Sequence, residues 1–113
     1  MAIKLGVYNE QSTGIVEVDF SDSTGAAATP KLASWTLKDE DGAIINGRDA
    51  VNIDTPKATE TVVLTGLDLA LPDPKKPYRY LLIEAVYDSV LYGNDLNLRE
   101  EGKLKIVDLK AKV

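Results

Sequence analysis

Eighteen carboxylate side chains stand in this chain beside no histidine and no cysteine, and that combination decides which chemistry is open to it. Without imidazole or thiol, no Ser-His-Asp triad, no Cys-His pair and no histidine-ligated zinc site can be assembled. Without cysteine, no disulfide ties the fold together either. What remains for catalysis is a carboxylate pair working as acid and base or nucleophile, as in glycoside hydrolysis. No spacing singles out two acids for that role, so they read as solvated surface and the chain reads as non-enzymatic, without a cofactor.

A hard cation is the other chemistry that carboxylates serve. Asp39-Glu40-Asp41-Gly42 places acids before a glycine turn. An EF-hand read back from Gly42 needs acids at positions 37 and 48, where the chain has Leu37 and Arg48. A site shared between loops, drawing on Asp19, Asp22 or Asp54, stays open. The expectation is no metal site and no effect of calcium on folding, with the turn acids capping nearby backbone amides instead. The net charge of −5 argues against nucleic acid as a partner. Lys75-Lys76-Pro77-Tyr78-Arg79-Tyr80 is the one basic run, and it reads as a solvated loop leading into a strand.

The residues best suited to binding are apolar ones in places that ought to be wet. In Tyr78–Asp88, Leu81, Ile83, Ala85 and Tyr87 make one face of a strand. Tyr80, Leu82 and Val86 make the other more apolar than a solvated face needs. Leu91, Tyr92 and Asn94 follow in a segment from Ser89 to Glu101 that reads as a long loop joining the last two strands. Tyr80, Leu82, Val86, Leu91, Tyr92 and Asn94 are therefore the candidate partner-binding residues. Cover for the second face is expected in part from Leu96 and Leu98, and otherwise from another subunit or protein. The competing reading folds Val90, Leu91, Leu96 and Leu98 back as a plug for one end of the domain.

The elements that must carry these residues are strands. Ala33, Trp35 and Leu37 alternate with Ser34, Thr36 and Lys38, the period of a half-buried strand, which places Trp35 in the core. Asp41-Gly42 then signals a hairpin into a second strand, Ala43–Asn46. Further strands are expected at Ile15–Phe20, Ala50–Ile53, Thr59–Thr65, Tyr78–Asp88 and Lys103–Leu109. Ser21–Lys31 reads as a loop. Gly66–Pro77, with three prolines, reads as a crossover between two sheets, since proline cannot donate to a ladder. Helical periodicity is absent. The chain reads as one domain, 1–113, with 1–13 a leading strand or arm and 14–109 an all-β antiparallel sandwich of about seven strands.

Three short motifs resemble the immunoglobulin-like and fibronectin type III superfamily: Ser34-Trp35-Thr36, Leu64-Thr65-Gly66-Leu67, and Tyr78-Arg79-Tyr80-Leu81-Leu82-Ile83-Glu84-Ala85. The resemblance implies a tyrosine corner, with Tyr78 or Tyr80 as its tyrosine. A narrower pattern is Phe20-x-Asp22-x-x-Gly25, Pro30, then Trp35-x-Leu37-x-Asp39-x-Asp41-Gly42-x-x-Ile45. It resembles small immunoglobulin-like structural proteins of tailed phages and prophages. That resemblance implies a virion or assembly component acting through contacts with itself or other proteins, without nucleic acid or membrane. A carbohydrate- or protein-binding module of a bacterial surface or secreted protein is the alternative. The start, Met1-Ala2-Ile3-Lys4-Leu5-Gly6, lacks a signal-like apolar run. The expected location is the host bacterial cytoplasm or the virion, or outside the cell if the chain is part of a longer secreted protein.

Overall fold

Alternation of buried and exposed side chains builds two sheets whose inner faces meet. A computed structural model describes residues 1–110; the last three residues of the expected domain, 111–113, lie outside the described residues. The strands are β1 (Ala2–Lys4), β2 (Val7–Asn9), β3 (Gly14–Asp19), β4 (Leu32–Lys38), β5 (Val51–Asn52), β6 (Thr59–Leu64), β7 (Tyr78–Ser89) and β8 (Gly93–Val107). One sheet has the order β1-β3-β6 and the other β2-β8-β7-β4-β5. The fold is the all-β, mostly antiparallel sandwich of two packed sheets that the alternation predicts.

The core lies between the sheets. Val16, Val18 and Phe20 from β3 and its end, Val62 and Leu64 from β6, and Trp35, Leu37, Leu81, Ile83, Leu104 and Ile106 from the larger sheet are all buried. Trp35 sits on the inner face with Ala33 and Leu37, as their spacing requires. The crossover also holds: after β6 a single 3-10 turn, Gly66–Leu69, leads the chain into the opposite sheet at β7.

Four local expectations change. The pairing is not wholly antiparallel, because β2 runs parallel to β8 (Val7↔Lys105, Asn9↔Val107). The leading segment starts beside β3, passes Leu5-Gly6 and continues in the same direction into the other sheet, where its neighbour is the closing strand. Gly102 makes room for this passage: a Cβ there would lie 2.1 Å from Leu5 Cδ1. Second, Ala43–Asn46 is not a strand. Gly42 takes the expected positive φ of 82°, but beyond one bridge, Lys38↔Ile44, the ladder stops. Asn46 (φ 51°) and Gly47 (φ 66°) turn the chain away, and the partner of β4 on this side is β5.

The third change is the largest. Ser89–Glu101 is not a long loop: β8 begins at Gly93, ten residues before the expected Lys103, and only a turn at 90–92 separates it from β7. The turn residues Gly93-Asn94-Asp95 hide the alternation of Leu96 and Leu98 with Asn97 and Arg99 that marks the strand. Fourth, Leu96 and Leu98 do not cover the outer face of β7. They pair with Tyr87 and Ala85, so they share the inner face, where Leu98 packs against the core.

Candidate functional site

Two ends of the sandwich carry the chemistry, and the long axis of the molecule, 54 Å against 21 Å across, runs between them. At the crossover end two charged side chains are buried. Asp68, in the 3-10 turn, is fully buried. Its Oδ1 accepts from Arg48 Nε (2.8 Å) and Asn46 Nδ2 (2.9 Å). Its Oδ2 accepts from Arg48 Nη2 (3.2 Å), the Thr65 amide (2.8 Å) and the Thr65 hydroxyl (3.2 Å). Burial alone raises a carboxyl pKa, but the bonds from Arg48, Asn46 and Thr65 outweigh it and hold Asp68 below the ordinary aspartate value. The bend at Asn46-Gly47 that ends the expected hairpin is what delivers Asn46 and Arg48 to this carboxylate. Arg48 also lies over the Trp35 ring, 5.4 Å from its centroid.

Arg79 is the second buried charge, on the inner side of β7. Its guanidinium donates to the carbonyls of Lys76 (2.9 Å), Tyr78 (2.8 Å) and Ala70 (3.0 Å), while Nε has no acceptor. Burial lowers its pKa, with Asp39 and Glu40 opposing the shift. Arg79 thereby ties the crossover to β7, the work the resemblance assigned to a tyrosine corner. Tyr78 and Tyr80 instead alternate to the outer face, where Lys103 Nζ sits 4.0 Å from the Tyr78 ring centroid. The basic run is dispersed accordingly: Arg79 is inside, and Lys76 Nζ pairs with Asp41 Oδ2 at 2.8 Å.

The opposite end is the β7–β8 hairpin. Val90, Leu91 (73% exposed) and Tyr92 (59%) form its turn, with Val90 wholly in solvent. The neck is polar. Ser89 Oγ accepts the amides of Leu91 (3.2 Å) and Tyr92 (3.1 Å), and Asp88 Oδ1 accepts the Asp95 amide (3.0 Å). Lys31 reaches across from the end of the Ser21–Lys31 loop to Asp88 (2.9 Å) and Asp95. Hydrogen bonding to Asp95 and Asp88 raises the Lys31 pKa, and Lys31 in turn lowers that of Asp88.

The candidate residues thus fall into two groups. Leu91, Tyr92 and Asn94 are exposed at or beside the tip. Tyr80, Leu82 and Val86 lie half-buried along the outer face of β7. At ~3.3 Å per residue, Leu82 lies roughly 23 Å from the end of β7 at Ser89, where the turn begins. The plug reading divides as well: Val90 and Leu91 stay outside while Leu96 and Leu98 turn inward. Leu32 on the outer face (61% exposed) belongs beside Val86, its register partner. Its phase opposite Ala33 and Trp35 was the signal for it. Leu32, Ser34, Asn52, Glu84, Val86, Asn97 and Arg99 border a shallow open depression there.

The loop acids serve their own turns. Asp39 Oδ1 accepts the amides of Asp41 (2.8 Å) and Ala43 (3.0 Å). Asp22 Oδ1 accepts from Thr24 and Ala26, Asp19 from Thr59, and Asp54 from Asn52. Among the described residues, no group of three or more His, Cys, Asp and Glu side chains could hold a metal ion. No helix among them is long and apolar enough to cross a membrane.

No family model matches the chain, and no curated protein or solved structure matches it.

Proposed function

We propose that this chain is a structural domain of a phage or prophage particle, or of its assembly, working through protein–protein contacts at the tip of the β7–β8 hairpin. The observation that carries this reading is the run Val90-Leu91-Tyr92, three consecutive apolar side chains exposed on a braced neck. Exposed clustered apolar groups mark interaction sites, and tyrosine suits them because its ring buries area while its hydroxyl stays wet. A neck held by Lys31, Asp88 and Ser89 presents the tip with little ordering left to lose on docking. The particle assignment rests on the Phe20-to-Ile45 pattern and its resemblance to tailed-phage proteins.

Immunoblotting of purified particles released by the source bacterium tests both parts. The chain is expected to co-sediment with particles, and Leu91→Ser with Tyr92→Ser to remove it from them while leaving its circular dichroism unchanged. Absence of the wild-type chain from particles overturns the particle assignment. Unfolding of the double variant overturns the tip as a docking site, because it would make these side chains core.

A further inference from the structure

Four strands end the two sheets, and one of them differs from the rest. β1, β2 and β5 are only two or three residues long, which by itself blunts an edge. β6 forms six antiparallel pairs with β3 without a shift of register, and its other side is the edge of its sheet. Its residues, Thr59-Glu60-Thr61-Val62-Val63-Leu64, include no proline or lysine to guard that edge. The Phe20 amide donates to the Ala58 carbonyl at 2.8 Å. That bond fixes the phase of the ladder, so Glu60, Val62 and Leu64 turn their backbone groups toward β3. Thr59, Thr61 and Val63 turn theirs away, and no N–H or C=O of these three has a partner among the described residues. The free stretch is bounded at both ends, because the Thr65 amide donates to Asp68 (2.8 Å) and the Lys57 amide to Glu60 (2.8 Å).

The layer over this edge is incomplete as well. β5 and β6 share one flank of the sandwich. Arg48, whose carbonyl accepts from the Leu37 amide of β4, reaches the Thr65 hydroxyl at the end of β6 (3.4 Å), and the segment 53–58 joins β5 to β6. With five strands against three, β5 projects past β6. Val51 shares the inner side of its sheet with its register partner Trp35, and Ile53, two residues on, shares it too. Both are half-buried, packed against the core but facing no strand of the smaller sheet.

We propose that this edge binds a single extended segment of a partner protein, which adds to β6 as a fourth strand of the smaller sheet beneath β5. Unpaired N–H and C=O groups at Thr59, Thr61 and Val63 match the alternate groups of a backbone in the same extended form. Inward side chains of the added segment meet Val51 and Ile53, so the segment is apolar at alternate positions. Its outward side chains lie beside Thr59, Thr61 and Val63, with an apolar contact at the crossover end, where Val63 (45% exposed) is the register partner of Ile15 (57%). A second folded copy is excluded from this place, because it carries a β4 and β5 of its own over its β6, in the space that β5 already fills. The inference concerns a different surface from the hairpin tip and does not depend on the particle assignment.

Amide hydrogen exchange of the whole chain, read by NMR, provides the test, with the capped peptide Lys-Thr-Val-Thr-Val-Thr-Lys as probe. In the free chain the amides of Thr59, Thr61 and Val63 are expected to exchange readily and those of Glu60, Val62 and Leu64 slowly. Millimolar peptide is expected to slow the first three about tenfold or more, since exchange then requires the added strand to leave. The same peptide with alternate backbone amides N-methylated is expected to have no effect. Thr61→Pro removes an N–H that the ladder with β3 does not use, which an edge strand tolerates; it is expected to stay folded by circular dichroism and to lose the response to the peptide. Slow exchange of the three amides in the free chain overturns the proposal, as does exchange that the peptide leaves unchanged or that the N-methylated peptide slows equally. Unfolding of Thr61→Pro overturns it too, because the Thr61 amide would then serve the fold. Protection that grows with protein concentration alone makes the occupant a second copy and overturns it likewise.

Discussion

At the crossover end charged groups are inside and hydrocarbon surrounds them; at the hairpin end hydrocarbon is outside and charged groups brace the neck beneath it. Asp68 and Arg79 are buried, and each is held by hydrogen bonds to groups in and around the crossover. Lys31, Asp88 and Asp95 make comparable contacts in water. The difference is one of dielectric. A buried charge that loses its partner keeps its desolvation cost, whereas an exposed pair gives back little when broken because water replaces it. The first end joins two sheets without a disulfide, and the second presents a surface.

The largest effect should come from the packing under Arg48. Trp35→Ala removes the biggest core side chain and the ring beneath the guanidinium, at a cost of about 3–5 kcal/mol. That is a large share of the stability of a domain this size. Denaturant unfolding measures it, and a loss below about 1 kcal/mol would place the indole at the surface.

Next in size is the acid sensitivity of the crossover. The folded-state pKa of Asp68 lies below its unfolded value. Its contribution is therefore full above the unfolded pKa of about 3.9 and is lost as pH falls through the lower folded value. Asp68→Ala leaves Arg48 and Asn46 without their shared acceptor and should cost about 3 kcal/mol near neutral pH. The gap between variant and wild type should close as the pH is taken below the ordinary aspartate range. A gap that stays constant with pH would mean that the loss is one of packing and not of charge.

The smallest effect belongs to the neck. Lys31→Ala should leave the thermal midpoint within about 2 °C of wild type, because the contacts it removes are exposed and screened. A fall as large as that of Asp68→Ala would erase the contrast between the two ends.

Strand positions and faces were legible where one side of a strand is buried against the other sheet. Val16, Val18, Trp35 and Leu37 alternate with polar or exposed neighbours, and period two has no other reading over six or seven residues. The β8 extension was not, because Gly93-Asn94-Asp95 carries turn residues within a hairpin, and local chemistry cannot say whether a turn interrupts a strand or begins one. Of the candidate site, the exposed tip could be inferred from Leu91 and Tyr92. Its separation from Tyr80, Leu82 and Val86 followed only once β7 and β8 were paired.

The amino-acid sequence by itself determined the class of fold, the core place of Trp35, the crossover at Gly66–Pro77 and the exclusion of imidazole and thiol chemistry, since each depends on residue type and near-neighbour spacing. Tertiary structure decided where the charges went. Asp68, Asn46 and Arg48 are separated by up to twenty-two residues, and nothing local distinguishes them from the other polar residues of their loops. Only the meeting of a 3-10 turn with the bend after β4 buries one carboxylate among five donor groups from three residues. Only the register of β7 against β8 sends Arg79 inward and Lys103 and Lys105 outward.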